Sequence, residues 1–135
     1  VNQAKTPGSA RRLRFLAILL GIVLLVWLSF EDQSVTWVIL FASAICMLVA
    51  ARLLAPFPRP PSGKGWLVYP LAGLLGGLAT APLALLLMAI KTGIHGNAVP
   101  DYTPVQMGAV LISFPVWAGA GTIIGLGAGL WFKNR

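Results

Sequence analysis

Acidic residues are nearly missing from this sequence. Glu31, Asp32 and Asp101 are the only three in 135 positions, and charged residues of both signs make up just 10%. A soluble domain carries about 25% charged residues. With 58% hydrophobic residues, a chain this short would leave much apolar surface in water. Those scarcities exclude an ordinary water-soluble domain and make lipid the solvent. Cysteine is scarce too, and Cys46 alone excludes an intrachain disulfide. His95 is the only histidine, with Asp101 as its one nearby acid, too few ligands for a metal site that needs three or four.

Long apolar runs are what the chain does have. Phe15–Phe30, Val35–Ala51, Trp66–Ile90 and Thr103–Phe132 contain no charged side chain. A bilayer core of roughly 30 Å needs about 20 helical residues. The runs predict an all-α, polytopic membrane protein with four transmembrane helices in two antiparallel hairpins. The first run is near the short limit, and Leu13 and Arg14 extend it by snorkelling. Its WLSFEDQS ending has no small-x-small cleavage pattern, so it reads as a retained anchor rather than a signal peptide.

The organisation follows. Residues 1–12 form a basic cytoplasmic tail, and 13–54 form the first hairpin, with Ser34 as N-cap of its second helix. Residues 55–65, APFPRPPSGKG, form a stiff, proline-rich cytoplasmic linker, because four prolines in six residues cannot continue a helix. Residues 66–132 form the second hairpin with an outer loop at 91–103, and 133–135 form a cytoplasmic end. Pro82 predicts a bend in the third helix. Thr103, Pro104 and Gln106 spell a helix start with a capping box. A single helix over 104–132 would be too long for the bilayer, so a kink is expected at Pro115.

Basic residues set the orientation. Lys5, Arg11, Arg12, Arg14, Arg52, Arg59, Lys64, Lys133 and Arg135 fall on one side of a four-helix topology, and only Lys91 on the other. The positive-inside rule then places both termini in the cytoplasm, in a bacterial inner membrane. The formal net charge of +7 is a topology signal and not a sign of nucleic-acid binding. Arg11, Arg12, Arg14, Arg59 and Lys64 also suit anionic lipid headgroups, at about 1 kcal/mol per nearby charge.

Two helices carry small residues at four-residue spacing: Gly73, Gly77 and Ala81 in the third, Gly121, Gly125 and Gly129 in the fourth. Such stripes let backbones approach closely, within this chain or between chains. Ser29, Thr36, Ser43, Cys46, Thr80, Gln106, Ser113 and Thr122 are the polar members of the runs, and bonding to their own helix backbones accounts for them.

Nothing in this inventory supplies a nucleophile, an oxyanion hole or an embedded acid–base pair. Small multidrug-resistance antiporters are similar in size and helix number, but they depend on a glutamate within the first helix, where this chain has none. The sequence therefore predicts a non-enzyme with no cofactor. The leading function is an accessory or scaffolding subunit of a larger membrane complex, respiratory or photosynthetic in setting, with His95, Asp101 and Tyr102 of the outer loop touching a partner. The alternative is a homo-oligomeric channel or transporter lined by glycine backbone with Thr80, Ser113 and Thr122. A third reading makes His95 a cofactor ligand.

Overall fold

A computed structural model describes residues 7–30, 33–55, 64–96 and 100–133. Every regular element among the described residues is helical: α1 (Pro7–Leu28), α2 (Val35–Leu54), a 3₁₀ turn (Lys64–Leu67), α3 (Val68–His95), α4 (Pro104–Ile112) and α5 (Phe114–Lys133). Val1–Glu31 and Asp32–Arg135 are separate compact units. Most of the linker and residues 1–6 lie outside the described residues.

In the first unit, α1 starts at Pro7 and not at Leu13. Proline suits the first helical position, where its missing N–H costs nothing. Arg11, Arg12 and Arg14 therefore sit on the helix, and all three are exposed. That bears on the count of spanning helices. Only 14 apolar residues, Phe15–Leu28, follow the last arginine before α1 ends. They reach roughly 21 Å at 1.5 Å per residue, short of a bilayer core. Beyond Leu28 the amides of Ser29 and Phe30 turn back to Val26 and Trp27. Among the described residues, three helical stretches, where four were expected, are long and apolar enough to cross a membrane: Val35–Leu54, Val68–His95 and Pro104–Trp131.

The second unit is built around α3, which packs most extensively on α5 and also on α2. Helix α2 has the limits expected of it. Ser34 occupies its cap position with extended backbone, but its side chain makes no capping bond. Val38, Phe41, Ala42 and Cys46 recur at helical spacing as its buried face. Ala81, Ala84, Leu87 and Met88 do the same for α3.

Pro70 lies in the first turn of α3, where its missing donor is harmless, and Pro82 lies within the helix. Helix α3 does not end at Ile90. It continues to His95 and stops at Gly96, whose φ of 60° is a left-handed cap that favours glycine. Lys91, Thr92 and His95, expected in a loop, are thus helical. Lys91 and His95 are four residues apart and extend the face of Leu87 and Met88.

Thr103 starts α4 with a complete capping box. The Gln106 amide donates to Thr103 Oγ1 at 3.3 Å, and the Thr103 amide donates to Gln106 Oε1 at 2.8 Å. Thr103→Ala removes one half of this exchange and should cost about 1 kcal/mol, measurable as a thermal-midpoint drop of a few degrees. The α4–α5 span breaks at Ser113, two residues before Pro115. The Ser113 carbonyl accepts from the amides of Val116 and Trp117, so the chain resumes as a helix at once.

Candidate functional site

Three places in the second unit bring chemically distinct groups together. The first joins the end of α3 to the start of α4. His95 Nδ1 lies 2.7 Å from Asp101 Oδ2, with the two side chains only 13% and 8% exposed. Lys91 and Tyr102 are fully buried beside them in the sequence. Among the described residues, Thr92 Oγ1 and His95 Nε2 are buried without a hydrogen-bond partner. The outer segment therefore folds its functional groups inward. His95, Asp101 and Tyr102, expected to face a partner, are not presented on the surface. Helix geometry explains this: the buried face of α3 does not stop where its apolar sequence stops. A carboxylate on one imidazole nitrogen is how ligating histidines are oriented, but Nε2 is sealed from the surface.

The second place is the line between α3 and α5. A Cβ on Gly73 would collide with the Gly121 carbonyl, and one on Gly77 with the Trp117 carbonyl. A Cβ on Gly121 would meet the Gly73 carbonyl, and one on Gly125 the Tyr69 carbonyl and the Pro70 Cα. A Cβ on Gly129 would lie 2.9 Å from the Trp66 carbonyl oxygen. Backbone touches backbone along this line, within one chain. Ala81 is buried on α3.

The third place is a cavity of about 290 Å³ between α2, α3 and α5. Each helix contributes an equal length to it: Ser43–Leu54, Tyr69–Thr80 and Trp117–Ala128. Its walls are mostly alanine, glycine and aliphatic side chains. Two of its hydroxyls bond to their own helix: Ser43 donates to the Leu40 carbonyl at 3.0 Å and Thr80 to the Gly76 carbonyl at 3.0 Å. Ser113 and Thr122 behave alike. Ser113 donates to the Val110 carbonyl at 2.6 Å and accepts from Trp117 Nε1 at 3.2 Å. Thr122 donates to the Ala118 carbonyl at 2.7 Å.

Among the described residues no three His, Cys, Asp or Glu side chains gather into a metal-binding group. Arg59 lies outside the described residues, and the side chain of Lys64 does too. The described residues are all-helical, and three of their helices are long and apolar enough to cross a membrane, which supports a membrane protein. Comparison with protein-family models, with curated proteins and with solved structures gave no match.

Proposed function

We propose that this chain is a non-catalytic accessory subunit that docks through the outward face of α4–α5 onto a larger membrane complex, of which respiratory and photosynthetic assemblies are the leading examples. One observation carries the reading. Helix α5 has two small-residue faces, and among the described residues of the second unit only one is packed. Gly121 and Gly125 pack on α3, whereas Gly119 and Gly127, roughly on the opposite face, have nothing within 4 Å. Val105, Ile112, Val116 and Ile123 share that outward face at helical spacing and are 81%, 81%, 68% and 70% exposed. Small residues between large apolar ones on a lipid-facing stripe make a seat for another helix. The sealed Nε2 of His95 favours this reading over a cofactor carrier.

The proposed orientation keeps the C-terminus and the linker in the cytoplasm of a bacterial inner membrane. It needs only the three spans, because Arg52, Arg59, Lys64, Lys133 and Arg135 then share one side against Lys91. A cytoplasmic N-terminus further requires α1 to cross as a fourth span, with Arg11, Arg12 and Arg14 snorkelling to the interface.

Gly125 is a poor target for testing docking, since a side chain there strikes Tyr69 and Pro70 of the same chain. Gly119→Leu with Gly127→Leu is the better variant. Native electrophoresis of a mild-detergent extract should show the wild-type chain travelling with larger subunits. The double variant should keep its thermal midpoint and lose them. A wild-type chain found only as a homo-oligomer would overturn the proposal.

A further inference from the structure

We infer that α1 is a span matched to a thin bilayer: it crosses where the membrane surface is drawn inward, with phospholipid phosphates meeting Arg11, Arg12 and Arg14, and acyl-chain length decides whether it crosses. This rests on the cytoplasmic N-terminus proposed above and is independent of the accessory-subunit role.

Charge fixes both ends of the apolar length. Arg14 is exposed on the helix, with Arg11 and Arg12 one turn or less before it. At the other end α1 stops at Leu28. The next two amides turn back, and Glu31 and Asp32 follow in sequence. The 14 residues Phe15–Leu28 rise roughly 21 Å, against a hydrocarbon core of roughly 30 Å. Sliding the helix along the membrane normal relieves one end only by burying the other. Arginine stems snorkel, but Glu31 and Asp32 carry short side chains, so the second end has no such reach. Tilt accommodates a helix that is too long and makes this shortfall worse. Thinning of the bilayer is what remains.

Lying flat is not an alternative for this sequence. A helix in the interface plane needs a polar face along its length. Here the three arginines stand together at one end, and Phe15–Leu28 has no charged or hydroxyl side chain. At 3.6 residues per turn, Phe15, Leu16, Ile18 and Leu25 spread over about half the circumference, and all four are exposed. Ala17, Leu20, Gly21 and Leu24, on the other half, are no more polar. Such a helix stands upright, with guanidinium groups at phosphate level, where each can pair with two oxygens. Helix α2 is short in the same sense. Its charge-free run Val35–Ala51 rises roughly 26 Å, whereas Val68–Ile90 of α3 rises roughly 35 Å.

The full chain with Ala10→Cys and Asn134→Cys, in a Cys46→Ala background, tests the inference. It is reconstituted from detergent into sealed vesicles of dimyristoleoyl-, dioleoyl- or dierucoyl-phosphatidylcholine, a series of rising thickness. A membrane-impermeant, polymer-linked maleimide is then added outside. A chain whose α1 crosses has both cysteines on one side, so it takes up two polymers or none, whichever way it entered the vesicle. A chain whose α1 does not cross takes up one. The two-or-none pattern should dominate in the thinnest bilayer, and the one-polymer band should rise at least tenfold in the thickest. Arg14→Leu extends the apolar run back to Leu13 and should lower that band at least threefold there. A two-or-none pattern at every thickness overturns the inference and leaves the N-terminal orientation standing. One polymer at every thickness overturns both. An unchanged band in Arg14→Leu also overturns the inference, because the apolar length would then not set the crossing.

Discussion

Gly73→Ala and Gly121→Ala should each destabilise the protein by about 3 kcal/mol, while Gly119→Ala and Gly127→Ala, in the same helix as Gly121, should stabilise it by about 0.5–1 kcal/mol. The opposite signs follow from what a methyl group meets. At Gly73 and Gly121 it meets the carbonyl of the facing glycine, and Gly77 and Gly125 are just as tight. Backbone cannot step aside as a flexible side chain can, so α3 and α5 must separate along the whole line. At Gly119 and Gly127 there is open space, and alanine gains only its better helix propensity. Cys46 is buried and is the only cysteine. Its reaction with a thiol-specific fluorophore on heating therefore reports unfolding in all four variants. Equal effects at the inward and outward glycines would remove the backbone seam from the account.

The second large effect belongs to Asp101. Asp101→Ala leaves His95 Nδ1 buried with no acceptor and should cost about 3 kcal/mol. Asp101→Asn keeps an acceptor and loses the charge assistance, so about half that loss is expected. His95→Ala should cost less when Asp101 is already alanine. The coupling from the double-mutant cycle should reach about 1.5 kcal/mol or more. Additivity within about 0.5 kcal/mol would mean the 2.7 Å contact contributes nothing. The result also bears on function, because a stabilising pair explains the lone histidine without a ligand.

Much of the second unit could be read from sequence because its signals are local. Val35–Ala51 is a charge-free run that follows a polar turn, and prolines lie shortly beyond its end. Thr103, Pro104 and Gln106 specify their helix start with side chains only three residues apart. Pro115 forces a break whatever surrounds it. Polarity misled where tertiary packing overrides it. Lys91, Thr92 and Gly93 look like a loop, yet no residue before Gly96 stops the helix, and helical phase carries Lys91 and His95 into the interior. Pro7-Gly8-Ser9 looks like a tail, although proline is at home in a first turn. The four-residue spacing of Gly121, Gly125 and Gly129 is visible in sequence. Gly119 and Gly127 differ from them only in helical phase, so their outward face needs the packed structure. The cavity is less legible still, since it exists only where three helices meet.

The central claim is that α3 and α5 pair within one chain through their backbones. An added Cβ at Gly129 would lie 3.4 Å from the Cβ of Tyr69, near the separation a disulfide spans, about 3.5–4.5 Å, and 2.9 Å from the Trp66 carbonyl oxygen, the loosest backbone approach on the line, so a small local shift admits it. The measurement is oxidation of Tyr69→Cys with Gly129→Cys, in a Cys46→Ala background, in native membranes. The account predicts a monomer on a non-reducing gel, with both thiols blocked to a polymer-linked maleimide until reductant is added. A covalent dimer, or two freely reactive thiols, would contradict it.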